Sequence, residues 1–148
     1  MTTAERLSRV LERASVRLAD ISDSEASHRE HAGRWSEKEI LGHLIDSASN
    51  NHQRFVRALI APRLEFPEYQ QASWVTAQSY ATESWPDIVN LWLLLNRHLL
   101  HIMRVVPEGS LERPCVIGSK EAIPLSALMD GYVDHLEHHL KSILGSQE

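Results

Sequence analysis

Apolar residues recur at three- and four-residue steps in four long segments of this 148-residue chain. This period places apolar side chains on one face of a helix, and that face must be buried against another element. The segments run from residue 3 to 21, 36 to 60, 84 to 106 and 124 to 145. We therefore predict an all-α fold, a four-helix bundle that occupies one domain over residues 1–148.

The segment that starts at residue 36 has the clearest boundary signals. Ser36 followed by Glu39 forms a capping box, and Pro62 closes the segment. Pro86 lies in the first turn of the third segment, where proline is tolerated, and Gly145 provides a stop for the fourth. These signals support four separate helices.

The connection between the second and third helices, Ala61 to Glu83, is too long for a simple antiparallel turn. It is rich in aromatic residues, so we expect a short helix over Gln70 to Tyr80 that packs on the bundle. A long crossover between neighbouring helices that run in the same direction explains its length. In the next connection, Cys115 to Lys120 is compatible with a small hairpin or an irregular loop.

Charge and composition disfavour several classes of function. The net charge is −5 and lysines and arginines are scattered, which argues against nucleic-acid binding. No apolar stretch approaches the roughly 20 residues that cross a bilayer, and no signal-peptide pattern is present. The single cysteine, Cys115, suits a reducing compartment and has no basic neighbour to activate it. We expect a cytoplasmic protein with a small-molecule substrate and no nucleic-acid or membrane partner.

Helical geometry separates the nine histidines of the chain. At about 100° per residue, His139 falls within the apolar stripe of the fourth helix and His135 on its rim, whereas His138 points away. His43 lies on one flank of the second helix, so that His43, His135 and His139 can meet at the edge of a groove. Three imidazoles can hold one divalent metal ion and leave it an open coordination position.

Less specific interpretations remain open for these histidines. A histidine near an apolar face is often a core or boundary residue that binds no metal. His98 and His101 on the third helix are a competing pair, although their flank favours a solvated role. His138 is either a solvated neighbour or reaches the mouth of the groove.

Three polar residues share the helix of His43. Asp46 is a candidate to orient an imidazole or accept a proton, and the alternative is an exposed helix charge. Asn50 and Arg54 continue the flank of His43 by helical steps, so they are candidates to contact an anionic substrate or a thiol cofactor. Arg54 is the stronger candidate because a guanidinium binds carboxylates bidentately. Solvated or structural roles are the alternative for both.

Three motifs follow one another along the chain: Trp35-Ser36-x-x-Glu39-x-x-x-His43-Leu44-x-Asp46, an aromatic segment with Trp74-Val75, and His135-x-x-His138-His139. Together they resemble the DinB/YfiT-like superfamily of small four-helix proteins, over residues 7–144. The resemblance implies an up-down-down-up bundle with the long crossover between helices two and three. It also implies a divalent metal, commonly zinc or nickel, held by His43, His135 and His139.

Members of that superfamily include thiol-dependent transferases, a mycothiol-dependent isomerase and proteins named metal-dependent hydrolases. The resemblance therefore implies a metal-dependent enzyme, and we expect a thiol-dependent S-transferase with a low-molecular-weight thiol as co-substrate. The alternatives are a metal-dependent hydrolase and a non-catalytic, metal-braced binding or stress-response module.

The third helix is apolar around much of its circumference. Leu93, Leu94 and Leu100 lie off its buried stripe, as expected for a helix that is covered on two sides. A homodimer contact is one explanation, and cover by the Ala61 to Glu83 segment is the other.

Overall fold

Four long helices form a bundle in the computed structural model, which describes residues 1–145. Large apolar side chains from each long helix are buried between them, including Leu7, Leu44, Trp92 and Leu136. The elements are, in chain order, α1 (Thr3–Ala19), α2 (Asp23–Ser27), α3 (Glu37–Ile60), β1 (Leu64–Phe66), α4 (Gln71–Gln78), α5 (Trp85–Val105), β2 (Pro114–Ile117), β3 (Ile123–Pro124) and α6 (Leu125–Leu144). The predicted all-α four-helix bundle is confirmed. Residues 146–148 of the predicted domain lie outside the described part.

The start of α3 is fixed by the predicted capping box. The hydroxyl of Ser36 accepts a hydrogen bond from the backbone N–H of Glu39, whose carboxylate accepts from the backbone N–H of Ser36. Arg29 also donates two hydrogen bonds to this carboxylate, at 2.8 and 2.6 Å. Two orphan donors at the helix start are satisfied, and the first turn of α3 is tied to the preceding loop.

Contacts along the first and last helices show that they run in the same direction. Arg6, early in α1, donates to the carboxylate of Asp134 at 2.7 Å. Arg17, near the end of α1, donates to the backbone carbonyl of Leu144. The later residue of α1 contacts the later residue of α6, so the two helices are parallel.

The third long helix runs in the opposite direction to α1. The indole N–H of Trp85, at the start of α5, donates to the carbonyl of Leu18 at 2.9 Å, and Arg104 at its end donates to the hydroxyl of Ser8 at 3.4 Å. With α3 antiparallel to α6, the four long helices follow the up-down-down-up order.

A small sheet joins the two long connections. β1 lies parallel to β2, with Leu64 opposite Cys115, and β2 lies antiparallel to β3. A hairpin therefore forms after Cys115, and Gly118 in its loop adopts a φ of 61° that favours glycine. Cys115 is fully buried, and this burial raises the pKa of its thiol, which is consistent with a structural role.

The crossover packs against α3. The expected short helix is present as α4, followed by a 3₁₀ turn at Tyr80–Thr82. Tyr80 is buried directly over Gly42, where any added Cβ would overlap the ring. The absence of a side chain at Gly42 therefore allows the crossover to approach α3 one residue before His43.

The outer surface of α5 is only partly covered. Leu100 is buried and Leu93 is half-buried, but Leu94 is 62% exposed. The crossover therefore does not cover Leu94, and a homodimer contact at this position stays a prediction. Within the described residues, no helix is long and apolar enough to span a membrane.

Candidate metal centre

Three imidazoles converge between α3 and α6. The Nε2 atoms of His43 and His135 lie 3.1 Å apart, and one ring nitrogen from each of His43, His135 and His139 lies within 4.8 Å of the others. His43 is 1% exposed, whereas the other two are half-buried. The structure thus brings together the three histidines that the sequence suggested as ligands.

Helix pairing and helical phase explain this convergence. His43 and Ser47 lie one turn apart on α3. His139 and His135 also lie one turn apart on α6, in reverse order because the two helices are antiparallel. The ring centroids of His43 and His139 lie 4.8 Å apart, while the hydroxyl of Ser47 lies 3.4 Å from Nδ1 of His135. Buried Leu136, next to His135 on the core stripe, fixes the rotation of α6.

The other histidines lie outside this group. His138 is exposed and is not one of the three converging histidines, although its ring centroid is 5.1 Å from that of His139. His98 and His101 are also exposed and stack on each other, with His52 beside His98 at 5.2 Å. The exposed rings of His98 and His101 lie on α5, outside the three-histidine group.

The three converging imidazoles are held in their neutral form. Burial, reinforced by repulsion between neighbouring imidazolium charges, lowers the pKa of His43 and of His135 from the ordinary 6.5 to about 4. The same causes lower the pKa of His139. At neutral pH each ring therefore keeps a nitrogen lone pair, which is the form that binds a metal ion.

The spacing of two of the three nitrogens fits a divalent ion. Ligands at zinc–nitrogen distances of 2.0–2.1 Å lie about 3.3 Å apart in a tetrahedron and about 2.9 Å apart in an octahedron. The 3.1 Å between the Nε2 atoms of His43 and His135 falls between these values. All three donors are imidazole nitrogens, which suit zinc and nickel alike.

Asp46 is buried beside the site, so the alternative of an exposed helix charge is wrong. Its Oδ1 accepts hydrogen bonds from the Tyr80 hydroxyl and the Gln78 amide, each at 2.7 Å. Burial raises the pKa of this carboxyl despite the two donors. Within residues 1–145, Asp46 makes no hydrogen bond to an imidazole. It fixes the crossover against α3 next to His43.

Asn50 and Arg54 face different cavities. Asn50 is buried, and its amide donates to the backbone carbonyl of Asp46 at 2.9 Å, within its own helix. It borders a wide outer groove between α3 and α4. Arg54 instead lines a cavity that reaches His135. The two predicted substrate contacts are therefore not brought together.

The cavity at Arg54 has a volume of about 410 Å³ and lies between α3, α6 and the crossover. The hydroxyl of Ser47 and the ring of His135 form the end of its wall that is nearest the three imidazoles. The remaining lining residues are Asn51, Arg54, Glu68, Tyr69, Gln71, Ile117, Lys120, Leu128, Gly131 and Tyr132. The three-histidine group therefore borders this cavity through His135.

Sequence patterns did not identify the residues that the crossover contributes. Tyr69 lines the cavity, and Tyr80 and Gln78 hold Asp46. The aromatic composition of the segment indicated packing on the bundle, but no periodic signal specifies which side chains reach α3. The crossover that carries them contains β1, which pairs with β2 from a distant part of the chain.

The chain matches a known family and is similar to a named protein. The DinB superfamily profile matches residues 6–143. A protein of Geobacillus thermodenitrificans (strain NG80-2) named "Putative metal-dependent hydrolase" is 26% identical over 130 residues, in an alignment that covers 86% of this chain and 72% of that protein.

Solved structures share the fold. YfiT from Bacillus subtilis, described as a probable metal-dependent hydrolase with an unusual four-helix bundle topology, superposes with a TM-score of 0.79 at 23% identity, over 95% of this chain and 83% of YfiT. A mycothiol-dependent maleylpyruvate isomerase superposes with a TM-score of 0.78 at 14% identity. The alignment covers 99% of this chain but only 62% of the isomerase.

Proposed function

The chain belongs to the DinB superfamily, and on this basis we propose that it is a metal-dependent enzyme whose His43, His135 and His139 hold one divalent ion. The observation that carries the proposal is the convergence of three neutral imidazoles, two of them with Nε2 atoms 3.1 Å apart. The metal-dependent descriptions of the Geobacillus protein and of YfiT support it.

The cavity that borders His135 determines where a substrate binds. A divalent ion at three imidazoles would supply a Lewis acid that lowers the pKa of a bound thiol or water. Ser47 and His135 form the end of the adjacent cavity, so a substrate in that cavity is oriented towards the imidazoles. The ring of Trp35 packs against His43, with 5.4 Å between the ring centroids.

Within this class, we propose a thiol-dependent S-transferase with a low-molecular-weight thiol as co-substrate. Within the described chain, no carboxylate hydrogen-bonds to the three imidazoles, and the two hydrogen bonds that Oδ1 of Asp46 accepts tie this carboxylate to the crossover. Thiol transfer suits such a site because it needs few proton-transfer groups: the carbon–sulfur bond forms as the leaving group departs, and the thiol proton passes to solvent. The thiol dependence of the isomerase with this fold supports the proposal.

Hydrolysis is the second candidate, favoured by the names of the Geobacillus protein and YfiT. An assay with metal-loaded protein separates the two. A small thiol with a chlorinated aromatic electrophile should give a conjugate, with release of chloride, faster than an activated ester is hydrolysed. Faster ester hydrolysis that needs no thiol would instead assign the hydrolase. If neither reaction depends on metal while metal raises the melting temperature, the non-catalytic module is correct.

Metal content tests the site itself. Untagged protein should contain one equivalent of zinc or nickel by elemental analysis, and His43→Ala, His135→Ala and His139→Ala should each lose most of it. His98→Ala is the matched control, because His98 is an exposed helical histidine outside the group. Retention of metal by all three variants would exclude this site.

A further inference from the structure

A cationic side chain lies in the cavity beside the candidate metal centre, and among the described residues it forms no ion pair. Arg54 is half-buried, its Nε atom is buried, and within residues 1–145 this atom has no hydrogen-bond acceptor. No carboxylate of the described chain lies in ion-pair contact with Arg54. A buried donor of this kind costs free energy unless another molecule satisfies it.

The guanidinium is positioned by an aromatic ring. Its Cζ atom lies 5.5 Å from the centroid of Phe66, the last residue of β1. Burial lowers the pKa of Arg54, but an arginine stays charged in proteins. The planar group is therefore held in place with its donors free to form a bidentate contact.

The cavity wall has an excess of positive charge. Glu68 is the one acidic residue among its lining residues, and the ammonium of Lys120 contacts this carboxylate at 3.2 Å. The charge of Glu68 also raises the pKa of Arg54, but among the described residues the two side chains form no ion pair, and Ser47 and His135 line the same cavity. A volume of about 410 Å³ is sufficient for a small organic molecule.

We infer that this cavity binds a substrate that carries a carboxylate, with Arg54 gripping the carboxylate while the reacting end of the molecule lies beside His135. The inference rests on the proposed function, since it places the substrate of the same site. The carboxylate belongs either to the thiol or to its electrophilic partner, and both sources present the same group to Arg54.

Two probes that differ only in the carboxylate test the inference. N-acetylcysteine and N-acetylcysteamine share the thiol and the amide, and calorimetric titration into metal-loaded protein measures their dissociation constants. Wild-type protein should bind N-acetylcysteine more tightly by about tenfold or more. Arg54→Gln should abolish this preference, and Arg54→Lys should retain only part of it because an ammonium cannot bind bidentately.

Arg57→Gln is the matched control. Arg57 lies one turn further along α3 and its Cζ is 5.9 Å from the Phe66 centroid, but it borders the outer groove. This variant should keep the full preference. Circular dichroism melts of all three variants verify folding, so that Arg54→Lys remains informative if Arg54→Gln unfolds.

A second pair, succinate and succinamide, distinguishes the source of the carboxylate. If the preference for N-acetylcysteine over N-acetylcysteamine depends on Arg54, the carboxylate belongs to the thiol. Arg54-dependent binding of succinate without that preference assigns it to the electrophile. If neither carboxylate is preferred by metal-loaded wild-type protein, the inference is overturned while the metal-dependent enzyme stands. If no metal loads at all but succinate still needs Arg54, the proposed function fails and the anion site remains.

Discussion

Neutral imidazoles in a shared buried site couple the protonation of single residues to the stability of the protein. A proton on His43 or His135 would place a charge where burial and two neighbouring rings disfavour it. In the unfolded chain the same rings are exposed to water and titrate near 6.5. The unfolded state therefore binds more protons than the folded state at mildly acidic pH.

For the metal-free protein, we predict that the free energy of unfolding is independent of these histidines above pH 7. It should decrease as the pH falls from 6.5 towards 4, the interval between the unfolded and folded pKa values. Urea unfolding in the presence of a chelator measures this slope. His135→Gln, which removes one titrating ring, should flatten it. Equal slopes for the two proteins would contradict the prediction.

Single residues were predictable from the sequence where helical phase alone placed them. Phase separated His135 and His139 from His138, and it put His43 on the matching flank of α3. The partners of Asp46 were not predictable, because Tyr80 arrives from a separate segment. The contact of Tyr80 with Asp46 requires a glycine at position 42, and the sequence around Gly42 gives no sign of this requirement.

At the scale of the element, the start of α3 controls the position of His43. Glu39 completes the capping box, forms the ion pair with Arg29 and lies one turn before His43. Burial raises the pKa of the Glu39 carboxyl, but the opposing hydrogen bonds from Arg29 and Ser36 leave it lowered overall. The carboxylate is therefore charged when it caps the helix at neutral pH.

We predict that Glu39→Ala lowers the free energy of unfolding by about 1–2 kcal/mol and also weakens metal binding. The first turn of α3 loses its cap and its link to the loop, so the main chain before His43 becomes less fixed. Chelator competition measures the affinity. The control is Glu5→Ala in the exposed capping box of α1, which should destabilise the fold without changing the metal affinity. A similar effect of both changes on affinity would refute the prediction.

Local signals predicted the four long helices and α4 and left the β2–β3 hairpin as one of two alternatives, yet they missed α2 and β1. α2 has five residues, too few for an apolar period, although Ser22 and Glu25 do form a capping box. β1 has three residues and its partner strand begins at Pro114. A strand this short exists only through pairing with a distant segment, which periodicity cannot reveal.

At the scale of the whole molecule, the candidate centre joins the second long helix to the last one. α3 contributes one imidazole and α6 contributes two, so a bound ion would cross-link these antiparallel helices. An ion that binds the folded state and not the unfolded one stabilises the fold in proportion to the logarithm of its free concentration.

We predict that chelation lowers the melting temperature and that added zinc or nickel restores it. At a free concentration of 1,000 times the dissociation constant, the stabilisation is about 4 kcal/mol. Scanning calorimetry across a metal titration measures it. His139→Ala should lose this response, whereas His101→Ala, an exposed histidine on α5, should keep it. If the melting temperature of the wild-type protein does not change across the metal titration, the cross-link is excluded.

The separation of 92 residues between His43 and His135 has a kinetic consequence. A zinc finger gathers its ligands within a short stretch, so the ion and the chain can assemble together. Here the complete ligand set exists only after α6 has packed antiparallel to α3. The ion then binds a structure that is already formed, so we expect it to slow unfolding and to leave the rate of folding almost unchanged.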